Sequence, residues 1–234
     1  MNLDTLISTA TTRVDDLAEG KLWSRDEWIE YANDAQNEAC RRARLIVDSS
    51  TAAVCSITLV SGTPTYALHD SIIFIRRARL LQVSDSVALN VLRRAHSADL
   101  DRAVGPQWQE EDGQPRAYVP GLDGHVLRPY PTPDANTWKV ALTVVRTALI
   151  PSTNETYPME DGDDTPEIRA RWHLGLVNWM TYRAYSKQDS QTYNPKAAAA
   201  ALADFEAEFG KKSSAIDEAW LAQQQDFTET EGNF

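Results

Sequence analysis

The chain has 234 residues, of which 42% are hydrophobic, and it carries a formal net charge of −11. This length supports one large domain or two small ones, and since it has neither a signal-peptide pattern nor a run of about 18 apolar residues, we expect no export signal and no membrane span. Its two cysteines, Cys40 and Cys55, stand in no metal-binding spacing, so we expect a reducing compartment, no disulfide framework and no zinc site.

The first segment of the chain predicts a helix. Asn2 can cap its start, and Gly20 marks its end. Apolar residues recur at the three- and four-residue spacing of a single helical stripe. The stripe consists of Leu3, Leu6, Ile7, Ala10, Val14 and Leu17.

The second helix begins with the sharpest local signal in the sequence. Ser24 and Glu27 have the spacing of a capping box, and Trp23 and Trp28 occupy the two positions of a hydrophobic staple. We expect this helix to continue to about Val47 and to pair antiparallel with the first. Its inner face is rich in alanine, which lets a partner helix approach closely. That face consists of Trp28, Ala32, Ala35, Ala39, Ala43 and Ile46.

The middle of the chain changes to the two-residue period of β-strands. A β-branched run from Val54 to Val60 stops at the turn Ser61–Pro64, which predicts a hairpin into Thr65–Leu68. We therefore expect a small antiparallel sheet or sandwich between two helical ends. Further strands are predicted at residues 72–81, 87–92, 116–119, 125–128 and 138–147, with a short helix at 95–104.

Two more helices are predicted after an acidic loop at residues 152–164. Thr165–Pro166 forms a cap-then-proline start for the third helix, whose apolar residues cover most of its circumference and predict the most buried helix of the protein. Asn194–Pro195 repeats the signature for a fourth helix that ends at Gly210. An extended C-terminal tail follows from residue 213.

The negative charge is concentrated at the two ends of the chain. Residues 1–52 carry 6 basic and 10 acidic side chains, residues 53–150 carry 10 and 9, and residues 151–234 carry 7 and 15. Because an acidic surface repels phosphate, tight non-specific binding of nucleic acid is disfavoured for both ends. Passive contact with passing DNA stays open.

We find no motif for catalysis or metal binding. No HExxH, GxSxG, P-loop or GxGxxG pattern occurs, and the acidic run at 160–164 lacks the spaced ligands of a calcium loop. Two arginine clusters, at 41–44 and 76–79, are expected to be solvated or ion-paired faces. Four histidines stand apart from one another and from cysteine: His69, His96, His125 and His173. We therefore expect no enzyme, no metal and no cofactor.

Several motifs follow one another in order between residues 5 and 210. They are Trp28–Gln36 with Arg41–Arg42, Ile57–Leu68, Trp108, Gly113–Tyr118, Arg128–Pro133, a strand ending near Arg146, Ala184–Ser186 and the Ala-rich helix to Phe209–Gly210. This ordered set resembles the head-to-tail adaptor (connector) proteins of tailed bacteriophages. One departure is His69, at a position where many relatives have proline.

The elements and the resemblance together predict an α+β fold. A helical bundle from residues 1–52 and 165–212 would carry an inserted antiparallel β-rich lobe at 53–150. Residues 151–164 would be an acidic linker, and residues 213–234 an extended C-terminal tail.

The resemblance implies a structural protein of the virion, located at the head-tail junction after synthesis in the host cytoplasm. Such proteins form a ring, commonly of twelve copies, between the portal protein and a tail or nozzle protein. Genomic DNA would pass through the lumen without specific binding, and no membrane is involved. We also hypothesise that the tail binds portal or a neighbouring subunit through Trp220, Leu221, Phe227 and Phe234.

Two alternatives from other classes stay open at this point. The first is a carbohydrate-binding or sugar-cleaving β-domain, which would need Trp108 and Trp138 exposed together beside carboxylates. The second is an intracellular scaffold module that binds another protein through its acidic helices and never forms a ring.

Overall fold

A computed structural model describes residues 1–16, 22–84, 86–121, 125–149, 159–189, 191–212 and 214. The protein has a mixed α+β structure, which confirms the predicted class at that level. Its described residues form two compact units, residues 1–46 together with those from 146 onward, and residues 47–145. We call them the helical unit and the sheet unit.

Helices dominate the first of these units. The α-helices in the described part of the chain are α1 (Leu3–Arg13), α2 (Arg25–Ala43), α3 (Ala52–Cys55), α4 (Ser97–Ala103), α5 (His173–Ser186) and α6 (Pro195–Phe209), with 3-10 helices at Pro106–Glu110 and Ala170–Trp172. Among these residues no helix combines the length and the apolar character that crossing a membrane requires.

The predicted starts of the two N-terminal helices are confirmed. The Asn2 side chain accepts a hydrogen bond from an N–H of the first turn of α1 at 3.0 Å. Ser24 and Glu27 form a complete capping box, with the Ser24 N–H donating to the Glu27 carboxylate at 2.8 Å. The rings of Trp23 and Trp28 pack with centroids 5.7 Å apart, as a hydrophobic staple requires.

Both N-terminal helices end earlier than predicted. Helix α1 ends at Arg13, and the predicted end at Gly20 lies outside the described residues. Helix α2 ends at Ala43, because Arg44 adopts a left-handed conformation with φ of 52°. Periodicity alone could not locate this end, since Ile46 continues the apolar stripe and packs against the same core.

The four long helices share one hydrophobic core. Helix α5 contacts α1, α2 and α6, and 8 of its 14 residues are buried, which confirms that it is the most buried helix. The alanine face of α2 is also confirmed, since Ala32, Ala35 and Ala39 are fully buried. Small side chains on α2 therefore allow close packing against α5.

Helix α5 begins at His173, so the predicted start at Thr165 is wrong. Tertiary contacts hold the segment before it in a non-helical conformation. The Glu167 N–H donates to the Gln36 side chain at 2.7 Å, and the Glu167 carboxylate binds the Arg146 guanidinium. These long-range bonds outweigh the local cap-then-proline signature.

Helix α6 begins and ends as predicted. The Asn194 side chain accepts the Ala197 N–H at 3.1 Å, and Pro195 occupies the first helical position. Gly210 ends the helix with φ of +89°, a value that favours glycine. Phe205 then lies fully buried in the shared core.

The sheet unit contains a mixed sheet with the strand order β1-β10-β4-β5-β7-β8-β3, in which β2 also pairs with β10. Every strand predicted between residues 72 and 147 is present. However, β5 runs parallel to β7, and β6 pairs in parallel with β9, so the prediction of a purely antiparallel sheet is wrong. The strands are β1 (Ile46–Asp48), β2 (Ser56–Thr58), β3 (Tyr66–Ala67), β4 (Ile72–Gln82), β5 (Ala88–Arg94), β6 (Asp112–Gly113), β7 (Ala117–Pro120), β8 (Val126–Tyr130), β9 (Thr132–Pro133) and β10 (Trp138–Arg146).

The predicted strand from Val54 to Val60 is confirmed only for Ser56–Thr58, and its hairpin is wrong. Val54 and Cys55 belong to the short helix α3, where both are buried, whereas neighbours on a strand would face opposite sides. Strand β2 pairs with β10 and β3 pairs with β8, so the two strands flanking Gly62 do not pair with each other.

Candidate assembly site

An arginine on α2 ties the two ends of the chain together. The Arg42 side chain is only 4% exposed, and its Nε donates to Glu38 at 2.9 Å. Its Nη1 lies 3.7 Å from the Glu206 carboxylate and donates to the Gly210 carbonyl. The guanidinium also stacks over Trp179, with 5.0 Å between Cζ and the ring centroid. One cation thus joins helices α2, α5 and α6.

A second buried ion pair lies where the chain leaves β10. Arg146 is 5% exposed, and both of its terminal nitrogens bind the carboxylate of Glu167. The same carboxylate accepts the Leu149 N–H at 2.7 Å. Nearby, burial and the charge of Glu167 raise the pKa of the Cys40 thiol to about 12. A thiol of that pKa stays protonated and unreactive at neutral pH, so Cys40 is a packing residue.

The acidic loop at 160–164 has a structural role in the helical unit. The Leu3 N–H donates to the Asp164 carbonyl at 2.8 Å, and the Asp4 N–H donates to the Gly162 carbonyl at 3.0 Å. The loop thereby satisfies two N–H groups that the start of α1 leaves without a helical partner. The Asp164 carboxylate accepts N–H groups of its own loop, so it stabilises a turn.

Two side chains of α2 make further long-range bonds. The fully buried Asn33 amide exchanges two hydrogen bonds with the backbone of Met159, at 2.9 and 3.0 Å. Asp34 accepts the Trp179 Nε1–H at 2.9 Å and pairs with Arg183 at 2.5 Å. Both of these polar side chains of α2 are therefore paired with residues distant in sequence.

One of the two tryptophans of the sheet unit, Trp108, is part of a small core. Trp108 is 1% exposed and packs against Tyr130, while its Nε1–H donates to Asp101 at 2.8 Å. The Arg128 guanidinium also lies over the ring, with 5.2 Å between its Cζ and the ring centroid. The sugar-binding alternative required an exposed Trp108, so this part of that hypothesis is wrong.

The hairpin of β4 and β5 leaves one face open. Ala78 opposes Leu92, and both are buried, so the next pair, Arg79 and Val91, points to the opposite face. Alternation places Arg77 and Arg93 on that same side, which we call the hairpin outer face: Arg77, Arg79, Val91 and Arg93. Val91 is 48% exposed, and Arg77 and Arg93 are exposed.

The sequence predicts Arg76, Arg77 and Arg79 to form a solvated or ion-paired cluster, and it does not identify this face. The missing fact was the register of β4 against β5, which shows that arginine and valine share one surface. The alternation of arginine with apolar residues along β4, at Arg77-Ala78-Arg79-Leu80, is the signal in the sequence that could have suggested it.

The other predicted site residues have different outcomes. The tail residues Trp220, Leu221, Phe227 and Phe234 lie outside the described residues. His173 is buried and bonded through Nε2 to the Ile168 carbonyl at 2.8 Å, which is a packing role. Within the described part of the chain, no group of three or more His, Cys, Asp or Glu side chains could hold a metal ion.

The comparison with protein families decides what kind of protein this is. The model of the SU10 adaptor protein family matches residues 1–228, nearly the whole chain. The chain belongs to the SU10 adaptor protein family. This is a family of phage head-tail adaptors, so the resemblance inferred from the ordered motifs is confirmed. A comparison with curated proteins found no match.

Membership in the SU10 adaptor protein family fixes the coarse function. The chain is a phage adaptor protein, a structural component of the virion that associates with components of the head and the tail. The buried ion pairs of its helical unit and the open hairpin outer face are therefore interpreted as parts of an assembly protein.

Proposed function

We propose that this adaptor forms a ring that joins the portal of the filled head to a tail or nozzle protein. The observation that carries the proposal is the family match over residues 1–228. The ring has twelve copies in this proposal, and each copy contacts two neighbours through a heterologous interface. It completes the head and leaves a central passage for the genome.

Rigid subunits support a closed ring, because the same rotation must repeat at every interface. The contacts of Arg42, Arg146 and Asn33 fix helices from both chain ends in one core. A subunit with this core transmits the position of one interface to the next with little deformation.

We also propose that different segments of the chain have different structural roles. Residues 1–52 with 165–212 act as the helical bundle, and residues 53–150 act as an inserted β-rich lobe, with an acidic linker at 151–164. The two compact units of the described chain support this division. The net charge of −11 supports passage of DNA, since a like-charged lumen does not hold a polyanion.

In this proposal the C-terminal tail anchors the ring. Its candidate anchors are Trp220, Leu221, Phe227 and Phe234, which bind portal or a neighbouring subunit. Large aromatic side chains often provide the anchoring contacts of protein interfaces.

The decisive experiment mixes the full chain with its portal protein and images the product by electron cryomicroscopy. We expect a ring of twelve copies on the portal, and loss of docking when the chain is truncated after Gly210. A chain that binds portal only as a monomer contradicts the ring, as the scaffold alternative predicts. Unchanged docking of the truncated chain contradicts the anchoring role of the tail.

A further inference from the structure

Exposed apolar side chains are concentrated at one place in the sheet unit. Val83, Val87, Leu89 and Val91 are between 40% and 54% exposed, and all lie within nine residues of the β4–β5 hairpin. Single exposed apolar residues are ordinary on protein surfaces, but a group on one hairpin indicates a surface that another segment covers. Leu89 and Val91 lie two residues apart on β5, and the register of β4 against β5 shifts between Leu80 and Leu81.

The same hairpin is strongly cationic. Residues 72–94 contain five arginines and a single acidic residue. Arg77 and Arg79 lie on the hairpin outer face, where Arg79 of β4 is paired with Val91 of β5, and within the described residues no carboxylate forms a salt bridge with either arginine. The segment that covers this surface should therefore be acidic and should carry apolar anchors.

The chain itself contains a segment with this chemistry. Residues 215–234 carry five carboxylate side chains and no lysine or arginine. The apolar side chains of this segment include Trp220, Leu221, Phe227 and Phe234. At about 3.3 Å per residue it can extend roughly 60 Å, far more than the radius of gyration of about 13 Å typical of a 100-residue domain.

We propose that the hairpin outer face binds the C-terminal segment, residues 215–234, of a neighbouring copy of the same chain. A heterologous ring requires two different surfaces on each copy that complement each other. The cationic apolar hairpin and the acidic aromatic segment are such a pair. If a chain bound its own segment, both surfaces would be used within one copy and neither would remain for a neighbour.

This inference rests on the proposed ring and names one of its interfaces. Arginine forks bind carboxylates, and Val91 with the apolar residues of the tip provides a place for an aromatic anchor. Several exposed charge pairs act together here, so the contact should weaken as salt is raised.

The test reverses charges on each side of the contact in the full-length chain. One variant is Arg77→Glu/Arg79→Glu on the hairpin, and the other is Glu229→Lys/Glu231→Lys on the segment. A matched control for the hairpin variant, Lys211→Glu/Lys212→Glu, makes the same change in net charge as that variant, at two exposed lysines after α6. Self-association is measured by sedimentation equilibrium between about 10 μM and 1 mM.

We expect each variant to self-associate about tenfold more weakly than the native chain, and the control to associate normally. An equimolar mixture of the two variants should recover association. The acidic hairpin of one variant can bind the basic segment of the other, and the unchanged segment of the first can bind the unchanged hairpin of the second. Such recovery by mixing cannot occur if the segment binds its own chain. Combining all four substitutions in one chain should also restore association.

Six results would overturn the inference, and the first four concern self-association. They are a native chain that stays monomeric at 1 mM, variants that associate normally, a control that weakens as much as the variants, and a mixture that fails to recover while the four-substitution chain does. A fifth is loss of binding to a short DNA duplex with unchanged self-association, which would make the hairpin a DNA contact. A normal ring of the hairpin variant on portal would reject the inference and leave the proposed function standing.

Discussion

The helical unit and the sheet unit differ in how deeply they bury the arginines of their ion pairs. In the helical unit the arginine side chains of two ion pairs are almost completely buried, Arg42 at 4% and Arg146 at 5% exposed. In the sheet unit the arginines of the described ion pairs are far more exposed, with Arg102 at 80% and Arg116 at 65%. Removing a partner from a buried pair costs several kcal/mol, whereas an exposed pair contributes little.

Exposed apolar side chains show the same contrast. Of the ten exposed large hydrophobic residues in the described chain, seven lie in the sheet unit and four of these belong to one hairpin. The helical unit thus resembles a closed interior, while the sheet unit presents surface that a partner can cover. The buried core and the exposed binding surface are therefore separated along this chain.

The largest expected effect comes from breaking the buried arginine of the helical unit. Arg42→Ala should lower the free energy of unfolding by about 3–5 kcal/mol, because Glu38 loses its buried partner and the cation over Trp179 is lost. Chemical denaturation followed by circular dichroism measures the change. Arg41→Ala is the matched control, since Arg41 also binds Glu38 but is 32% exposed. Equal losses for both variants would contradict the importance of burial.

A smaller effect tests how closely helices α5 and α6 approach. A Cβ at Gly175 would overlap the Glu208 carboxylate and lie 2.7 Å from the Phe209 ring. Gly175→Ala should therefore cost about 1–3 kcal/mol, although alanine has the higher helix propensity. Thermal unfolding shows whether the variant is less stable than the native protein. A variant with a higher melting temperature than the native protein would show that the contact relaxes without cost. Gly175→Ala combined with Glu208→Ala should recover part of the loss.

Much of the helical unit could be predicted from the sequence because its signals are local. The capping box at Ser24 and the cap at Asn194 depend on residues within one turn. The start of α5 could not be predicted, since it depends on Gln36 and Arg146, which are distant in sequence. The hairpin outer face also needed information from another strand, because only the register of β4 against β5 shows which side chains share it.

A third prediction concerns pH and the ion pair between Glu27 and Lys187. The hydrogen bond from Lys187 holds the pKa of the Glu27 carboxyl below its ordinary value of 4.5. Because the pKa is lowered in the folded state, this contribution to stability is complete above about pH 4.5 and is lost as pH falls through the lowered value. Glu27→Gln should cost about 0.2–1 kcal/mol at pH 7 and almost nothing at low pH, measured by denaturation at both pH values. A loss independent of pH would point to the capping box.

The smallest effect is expected on the hairpin outer face. Val91→Ala should change the free energy of unfolding by less than about 0.5 kcal/mol, because Val91 is 48% exposed in the free subunit. Leu92→Ala, one residue further along the same strand, should cost about 2–5 kcal/mol because Leu92 is 3% exposed. Urea unfolding of both variants compares the two faces of β5. Similar losses would mean that Val91 is already covered within its own chain.

The shared core of the helical unit has a consequence for how the protein is made. Helices α1 and α2 leave the ribosome about 130 residues before α5, the helix that completes their packing. Synthesis proceeds at about 5–20 residues per second, so roughly ten seconds pass before α5 can cover the apolar stripes of α1 and α2. The strands of the sheet unit emerge during this time. The nascent chain therefore passes through an interval in which a chaperone, or another nascent copy, can reach a surface that the finished subunit never exposes.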